Sequence, residues 1–528
     1  MLTCLFSHLP SLAAAAAALL CARKLLHYFQ LESYQFYGYF KTVLRQWRVA
    51  LLPPALLGVF SFLLSWAGKA LYEAADPKRV WKLICIMGLF SGAILAVGVF
   101  VSAWLQKGKE KKPFVLTARM KRLYIALAAV LLIFCWISPA FVIALPLLVA
   151  LAALIALPVE KAINRMYMRD AQRRMNAQQG LIRIGITGSY GKTSVKNILF
   201  VILSQKYNVL STPASFNTPM GLTRVIRERL EPAHQVFLAE MGARHRKDIK
   251  ELTDFIHPTI GVLVSVGPQH LDTFKTLDNI IATKYDLIRA IPSDGLAVFN
   301  DDGGICADLY EKTLNTPKAV VGRKGGDVWA EDVQVSALGS GFTLCFRDGR
   351  RLPCQTRMLG AHNISNILLA CAVAEHLGLS DAQIQRGISQ LNPVEHRLQL
   401  LKTAGGVTVI DDAFNSNPTG AKAALDVLSR FPGRRIIVTP GMVELGSKED
   451  EFNQEFGREM ASAADVCVLI GKKHTLPIQK GLIDAGYPAD DMHVFSTLSD
   501  ATAWLNGFMR AGDFILYEND LPDHYSET

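Results

Sequence analysis

A chain of 528 residues is longer than one hydrophobic core usually organises, about 100–200 residues, so several units are expected. Half the residues are hydrophobic and the formal charge is +10, but residues 1–184 carry 22 Lys and Arg against 6 Asp and Glu, whereas the remainder carries 34 against 40. That split describes a basic membrane segment joined to a mildly acidic soluble part, and it excludes a disordered chain, a wholly soluble one and a nucleic-acid binder.

The apolar runs come first. Leu9–Ala22 with its apolar approach from Met1, Val49–Gly68 and Leu83–Leu105 each read as one span, a helix needing about 20 apolar residues to cross the hydrocarbon core. Leu123–Val159 is 37 residues without a charge, too long for one span, and Ser138-Pro139 offers a break. The loop 106–122 holds seven cations (Lys107, Lys109, Lys111, Lys112, Arg119, Lys121, Arg122). Keeping these on the cytoplasmic side requires two short helices meeting near Pro139, giving five spans in the plasma membrane with the N-terminus outside. The first segment lacks a charged n-region and precedes further spans, so it reads as an anchor rather than a cleaved signal. Region 160–180 is basic and helical, with Arg165, Arg169, Arg173 and Arg174 among apolar side chains. It reads as an interfacial linker against anionic lipid headgroups or as a plain solvated connector. Nine cysteines without a C-x-x-C pair read as reduced structural thiols.

From Leu181 the pattern changes to short apolar runs alternating with helical periods, the pattern of a parallel α/β sheet. The first run, Ile182–Ile186, leads into Thr187-Gly188-Ser189-Tyr190-Gly191-Lys192-Thr193-Ser194 and then a helical pattern. This is a phosphate loop in the right context. Its glycines let backbone N–H groups approach phosphate, Lys192 meets the terminal phosphates of ATP, and Thr193 ligates magnesium. Ile186 stands where the strict motif has a glycine, so the loop is a short T-G-x-x-G-K-T variant. Further runs at 407–410, 436–438, 466–470 and 514–516 indicate a second, Rossmann-like domain, and no G-x-G-x-x-G marks a nicotinamide site.

The soluble part, from about 181 to 520, resembles the Mur ligases, ATP-dependent enzymes that join amino acids or peptides to a carboxylate in cell-wall precursor synthesis. It is most similar to the branch that adds D-alanyl-D-alanine to a UDP-muramoyl-tripeptide. Ser215-Phe216-Asn217-Thr218-Pro219-Met220-Gly221 resembles the family loop near the reacting carboxylate, which implies substrate contacts at Asn217 and Thr218. Ala239-Glu240-Met241-Gly242 resembles the segment whose glutamate binds magnesium, and His270 matches the second metal-associated position. Lys284 matches a lysine carbamylated in several members, with Asp286 where glutamate is usual. His362-Asn363-Ile364-Ser365-Asn366 is similar to the adenine-contacting H-N-x-x-N, which assigns Asn366 to the nucleotide. Glu395-His396-Arg397-Leu398 resembles the junction between central and C-terminal domains, whose arginine reaches ATP phosphates. Asp411-Asp412-Ala413-Phe414-Asn415-Ser416-Asn417-Pro418 resembles D-D-x-Y-N-x-N-P with Phe414 for tyrosine, implying roles for Asp411 and Asp412 at the nucleotide and for Asn415 and Asn417 at substrate. Gly441-Met442-Val443-Glu444-Leu445-Gly446 resembles G-x-M-x-E-L-G.

From the residues alone each has a plain rival reading, Glu240 as a surface carboxylate, His270 as a core histidine and Lys284 as a solvated helix lysine. The expected organisation is a transmembrane region over 1–159, the linker 160–180, a central ATP-binding domain over 181–394 and a C-terminal domain over 395–528. The implied catalytic set is Lys192, His270, Lys284 and Arg397. Gly188, Ser189, Gly191 and Ser194 complete the phosphate loop, and ATP and magnesium are the cofactors. The implied partners are a muramoyl-peptide or lipid-linked carboxylate, an amino acid or dipeptide amine, and membrane lipids. Two departures bear on substrate. Membrane spans stand where that branch has a soluble UDP-sugar domain, and Tyr517-Glu518-Asn519-Asp520-Leu521-Pro522-Asp523 replaces its K-G-S-R-like segment. Ligation in another envelope polymer such as poly-γ-glutamate, and a non-catalytic membrane ATP-binding or regulatory role, are the alternatives.

Overall fold

In a computed structural model, residues 8–73, 80–105, 113–213, 216–301, 304–336, 339–403, 405–414 and 416–520 are described. The chain divides into two units, Met1–Met166 and Tyr167–Thr528.

The first unit is helical. Its principal helices are α1 (Leu9–Leu31), α2 (Phe36–Arg45), α3 (Leu52–Glu73), α4 (Val80–Leu105), α5 (Ala118–Ile137) and α6 (Leu145–Ala177), the last running past the end of the unit. Five segments among the described residues are long and apolar enough to cross a bilayer: Leu9–Leu31, Trp47–Gly68, Cys85–Leu105, Ala118–Ile137 and Pro139–Ala177. Ala13, Ala14, Ala15, Ala17 and Ala18 of α1 are buried, and a Cβ at Gly98 of α4 would stand 2.4 Å from the Ala17 Cβ. Small residues let two helix backbones approach this closely where lipid offers no hydrophobic drive between them. The first helix is therefore a packed member of the bundle.

The long apolar stretch breaks at Ser138-Pro139. α5 ends at Ile137, a 3-10 turn spans Pro139–Ala144, and the Ser138 side chain accepts from the Ala140 N–H. Beyond it α6 continues unbroken through the basic residues expected to form a linker. Glu160 of α6 is buried and takes a bidentate pair from Arg122 of α5 at 2.6 and 2.8 Å.

The second unit holds two sheets. The first comprises β1 (Ile182–Thr187), β2 (Val209–Ser211), β3 (Val236–Glu240), β4 (Ile260–Leu263), β5 (Leu296–Asn300), β6 (Lys318–Val321), β7 (Val328–Ser336), β8 (Gly339–Phe346) and β9 (Arg351–Thr356), in the order β2-β3-β1-β4-β5-β6-β7-β8-β9. It is parallel as far as β7, after which β7, β8 and β9 form antiparallel pairs. β3 and β4 are buried at every position, as expected of strands covered on both faces. The second sheet comprises β10 (Gln399–Lys402), β11 (Thr408–Asp412), β12 (Arg435–Thr439), β13 (Val466–Ile470), β14 (Met492–Phe495) and β15 (Phe514–Glu518), in the order β10-β11-β15-β12-β13-β14. All its pairs are parallel except β10 with β11. In both sheets the loops at the strands' carboxyl ends carry the recognised motifs, which is where open α/β sheets bind ligands.

Candidate active site

The phosphate loop follows β1 and ends at Gly191, which opens helix α7 (Lys192–Leu203). Gly191 has φ +78°, and a Cβ there would lie 2.8 Å from Val264 and 3.0 Å from Asn366 Oδ1. Only glycine meets both demands. The loop is held to the chain leaving β4. Ser189 donates its N–H to Ser265 O (2.7 Å) and its hydroxyl to Gly267 O (2.8 Å), while the Tyr190 hydroxyl donates to Pro268 O (2.6 Å). The Lys192 ammonium folds back to Gly188 O (2.7 Å) and Ser189 O (3.1 Å). Burial pushes it down to about 8, with Glu240 acting the other way and Arg397 adding to the fall. Thr193 stands in the first turn of α7 and Ser194 is buried beside it.

Lys284 corrects one plain reading of the sequence. It lies on the helix Leu277–Arg289, is 2 % exposed rather than solvated, and donates to Gly188 O at 2.9 Å. Burial, reinforced by the Lys192 charge, holds its amine well below the usual lysine range.

Glu240 ends β3, 1 % exposed. Its Oε1 accepts from the Asn217 amide (3.2 Å) and its Oε2 lies 3.1 Å from Lys196 Nζ. Gly242 makes room for Asn217, whose Cγ would lie 2.6 Å from a Cβ there. Sequence reasoning missed Lys196, whose signal was a lysine on the apolar face of α7. Thr218 accepts from Gly221 N–H as the N-cap of the helix Pro219–Arg229. Asn417 does the same for Gly420 ahead of the helix Pro418–Leu428. Both precede a proline, the signature of a helix start. Asn415 lies outside the described residues.

The C-terminal domain completes the site. Burial lowers the Arg397 guanidinium, while the charges of Asp412 and Glu240 raise it, which places Arg397 in the field of the central-domain carboxylate. Its side chain lies over the Phe414 ring, 4.7 Å from the centroid. Asp412 is pushed up to about 6 by burial, against the pull of Arg397, and its Oδ1 accepts from Leu398 N–H at 3.2 Å. Asp411 takes His396 Nδ1 (2.7 Å) and the Ala413 N–H (3.2 Å), so it shapes the domain junction. Asn366, beside Gly191, donates to Asn363 Oδ1 at 3.3 Å. His270 Nδ1 lies 2.5 Å from Glu444 Oε2 of the C-terminal domain. Burial lowers its imidazole and Glu444 opposes the shift.

No cluster of three or more His, Cys, Asp or Glu ligands exists among the described residues. Magnesium takes one or two protein oxygens and completes its shell with phosphate and water. Glu240 offers carboxylate oxygens at the end of β3 and Thr193 a hydroxyl in the first turn of α7, oxygen donors of the kind that would hold magnesium.

A parallel sheet carrying a glycine-lysine phosphate loop, facing an arginine from a second α/β domain, defines a two-domain ATP-dependent enzyme. Residues 186–374 match the Mur ligase middle domain and 396–517 the Mur ligase glutamate ligase domain. The UDP-N-acetylmuramoyl-tripeptide--D-alanyl-D-alanine ligase of Mycobacterium tuberculosis is 33% identical over 359 residues, 64% of this chain and 70% of that protein. The Escherichia coli ligase of the same name is 27% identical over 63% of this chain and 75% of its own. A crystal structure of MurF from Acinetobacter baumannii has a TM-score of 0.62 at 26% identity, covering 67% of this chain and 77% of that one. The chain belongs to the Mur ligase family. It is an ATP-dependent, ADP-forming ligase that uses ATP and magnesium.

Proposed function

We propose that this protein is a membrane-anchored amide ligase that joins D-alanyl-D-alanine, or a similar amino acid or dipeptide, to the carboxylate of a muramoyl-peptide-type precursor. The observation that carries the reading is the arrangement of Lys192 and Glu240 at one sheet edge with Arg397 brought to them from the second domain. The loop amides, Lys192 and Arg397 neutralise the ATP phosphates so that a substrate carboxylate can attack the γ-phosphorus and release ADP. The incoming amine then attacks the acyl phosphate, an amide forms, and inorganic phosphate and the amine's proton leave. Magnesium, when bound by Glu240 and Thr193, supplies further neutralisation of the phosphates. Asn217 orients Glu240. The C-terminal domain, closed over the loop, keeps water from the acyl phosphate.

Five bilayer-length apolar helices support multi-pass anchoring in the plasma membrane, with the catalytic domains in the cytoplasm and lipids as partners. The family match begins at residue 186, after those helices. That placement favours a lipid-linked carboxylate as a second reading of the substrate.

Both readings are tested by ADP release from the detergent-solubilised protein given D-alanyl-D-alanine with either UDP-muramoyl-tripeptide or its lipid-linked counterpart. One pair should stimulate release, and Lys192→Ala should lower it by about 100-fold or more. Release no faster than with ATP alone for both pairs overturns the ligase reading.

A further inference from the structure

Glu444 lies in the loop leaving β12, a segment the sequence singled out without a role. Its backbone is left-handed (φ 65°), as is that of His270 opposite (φ 52°). Such a conformation is strained for a non-glycine residue and persists where surrounding contacts impose it. Those contacts are present on both sides. In the C-terminal domain, Asn453 holds Met442 through two 2.9 Å bonds to its N–H and carbonyl, and the Asn519 amide donates to Gly441 O at 2.6 Å. In the central domain, Pro268 and Gly267, just before His270, accept from Tyr190 and Ser189 of the phosphate loop.

Between these two anchored loops stands the 2.5 Å contact of His270 Nδ1 with Glu444 Oε2, with Arg244 3.8 Å from the other carboxylate oxygen. Gly446 (φ +65°) abuts the same central-domain loop, since a Cβ there would lie 3.3 Å from Asp272 Oδ1. A carboxylate on Nδ1 fixes the ring's rotation and leaves Nε2 as the nitrogen available to phosphate, water or metal.

We propose that Glu444 is a positioning residue for ligation, a clasp by which the closed C-terminal domain orients His270 and steadies the phosphate loop behind it. The inference rests on the reading of His270 as a group of the active site.

The test is kinetics of the full-length protein with the pair that supports ADP release. Glu444→Ala should lower kcat by about 10–100-fold, the usual effect of removing such a partner, while the KM for ATP stays within about threefold. Glu444→Gln, whose amide oxygen can still accept from Nδ1, should recover most of the loss. Glu444→Ala added to His270→Ala should cost nothing more, because both remove one interaction. Wild-type kcat in Glu444→Ala, additive losses, or no recovery with glutamine overturns the clasp. If the wild type forms no ADP with either pair, the ligase reading has failed on its own account. The clasp is then judged by the ATP-dependent distance between labels on exposed Lys250 and Lys480. Glu444→Ala should broaden that distance distribution, and an unchanged distribution overturns the proposal.

Discussion

Lys196 stands where the period of α7 calls for an apolar side chain, and burial beside Glu240 lowers its ammonium while the carboxylate raises it. A buried pair is weak evidence of net stability, but removing one partner leaves an uncompensated charge, at a cost of about 3–5 kcal/mol. Lys196→Met should therefore lower the melting temperature. It should also enlarge the stabilisation produced by MgCl2, because the metal would then answer Glu240 alone. Thermal unfolding followed by tryptophan fluorescence with and without the salt checks this, and a magnesium response no larger than the wild type's would sink the idea. At this scale much of the site was legible. T-G-x-x-G-K-T after an apolar run names Gly188, Gly191, Lys192 and Thr193 because phosphate binding is local chemistry. Lys196 was marked only by its place on an apolar helix face, and Lys284 was not legible as a buried group, since a lysine's burial depends on which helix packs over it. The caps at Thr218 and Asn417 were legible in principle, as each precedes a proline that starts a helix.

Among the elements, β15 carries the oddest group. Glu518 at its end is 1 % exposed and accepts from the hydroxyls of Ser416 and Thr439, tying β15 to β12 and to the loop after β11. Burial pushes its carboxyl up to about 8, and nearby Asp412 adds to the rise. A raised carboxyl favours the folded state most below its unfolded value of about 4.5, and that contribution is lost as pH rises through about 8. The melting temperature of the wild type should thus fall between about pH 5 and 9 more steeply than that of Glu518→Gln. Parallel slopes for the two proteins across that range would show that Glu518 does not titrate there. The strands themselves were readable from their apolar runs, but pairing was not. That β15 lies between β11 and β12 follows from crossover connections and burial of both faces, which no local pattern encodes.

For the whole molecule, the charge division makes a topological prediction. With cations of 106–122 on the cytoplasmic side, a C-terminal tag should be protected from protease in intact spheroplasts and cleaved in inverted vesicles. Cleavage in intact spheroplasts would reverse the assignment. The sequence by itself determined the apolar helices and the break at Ser138-Pro139, two α/β domains, the phosphate loop and the family motifs, because hydrophobic period and phosphate chemistry are written over short distances. Tertiary structure alone decided that Glu240 meets Lys196 and Asn217, that Arg397 enters the field of Glu240, and that His270 meets Glu444, 174 residues away. The first depends on how helix and loop pack on one sheet and the other two on how the two α/β domains pack together, and their energies arise from burial and charge proximity, which exist only once the chain has folded.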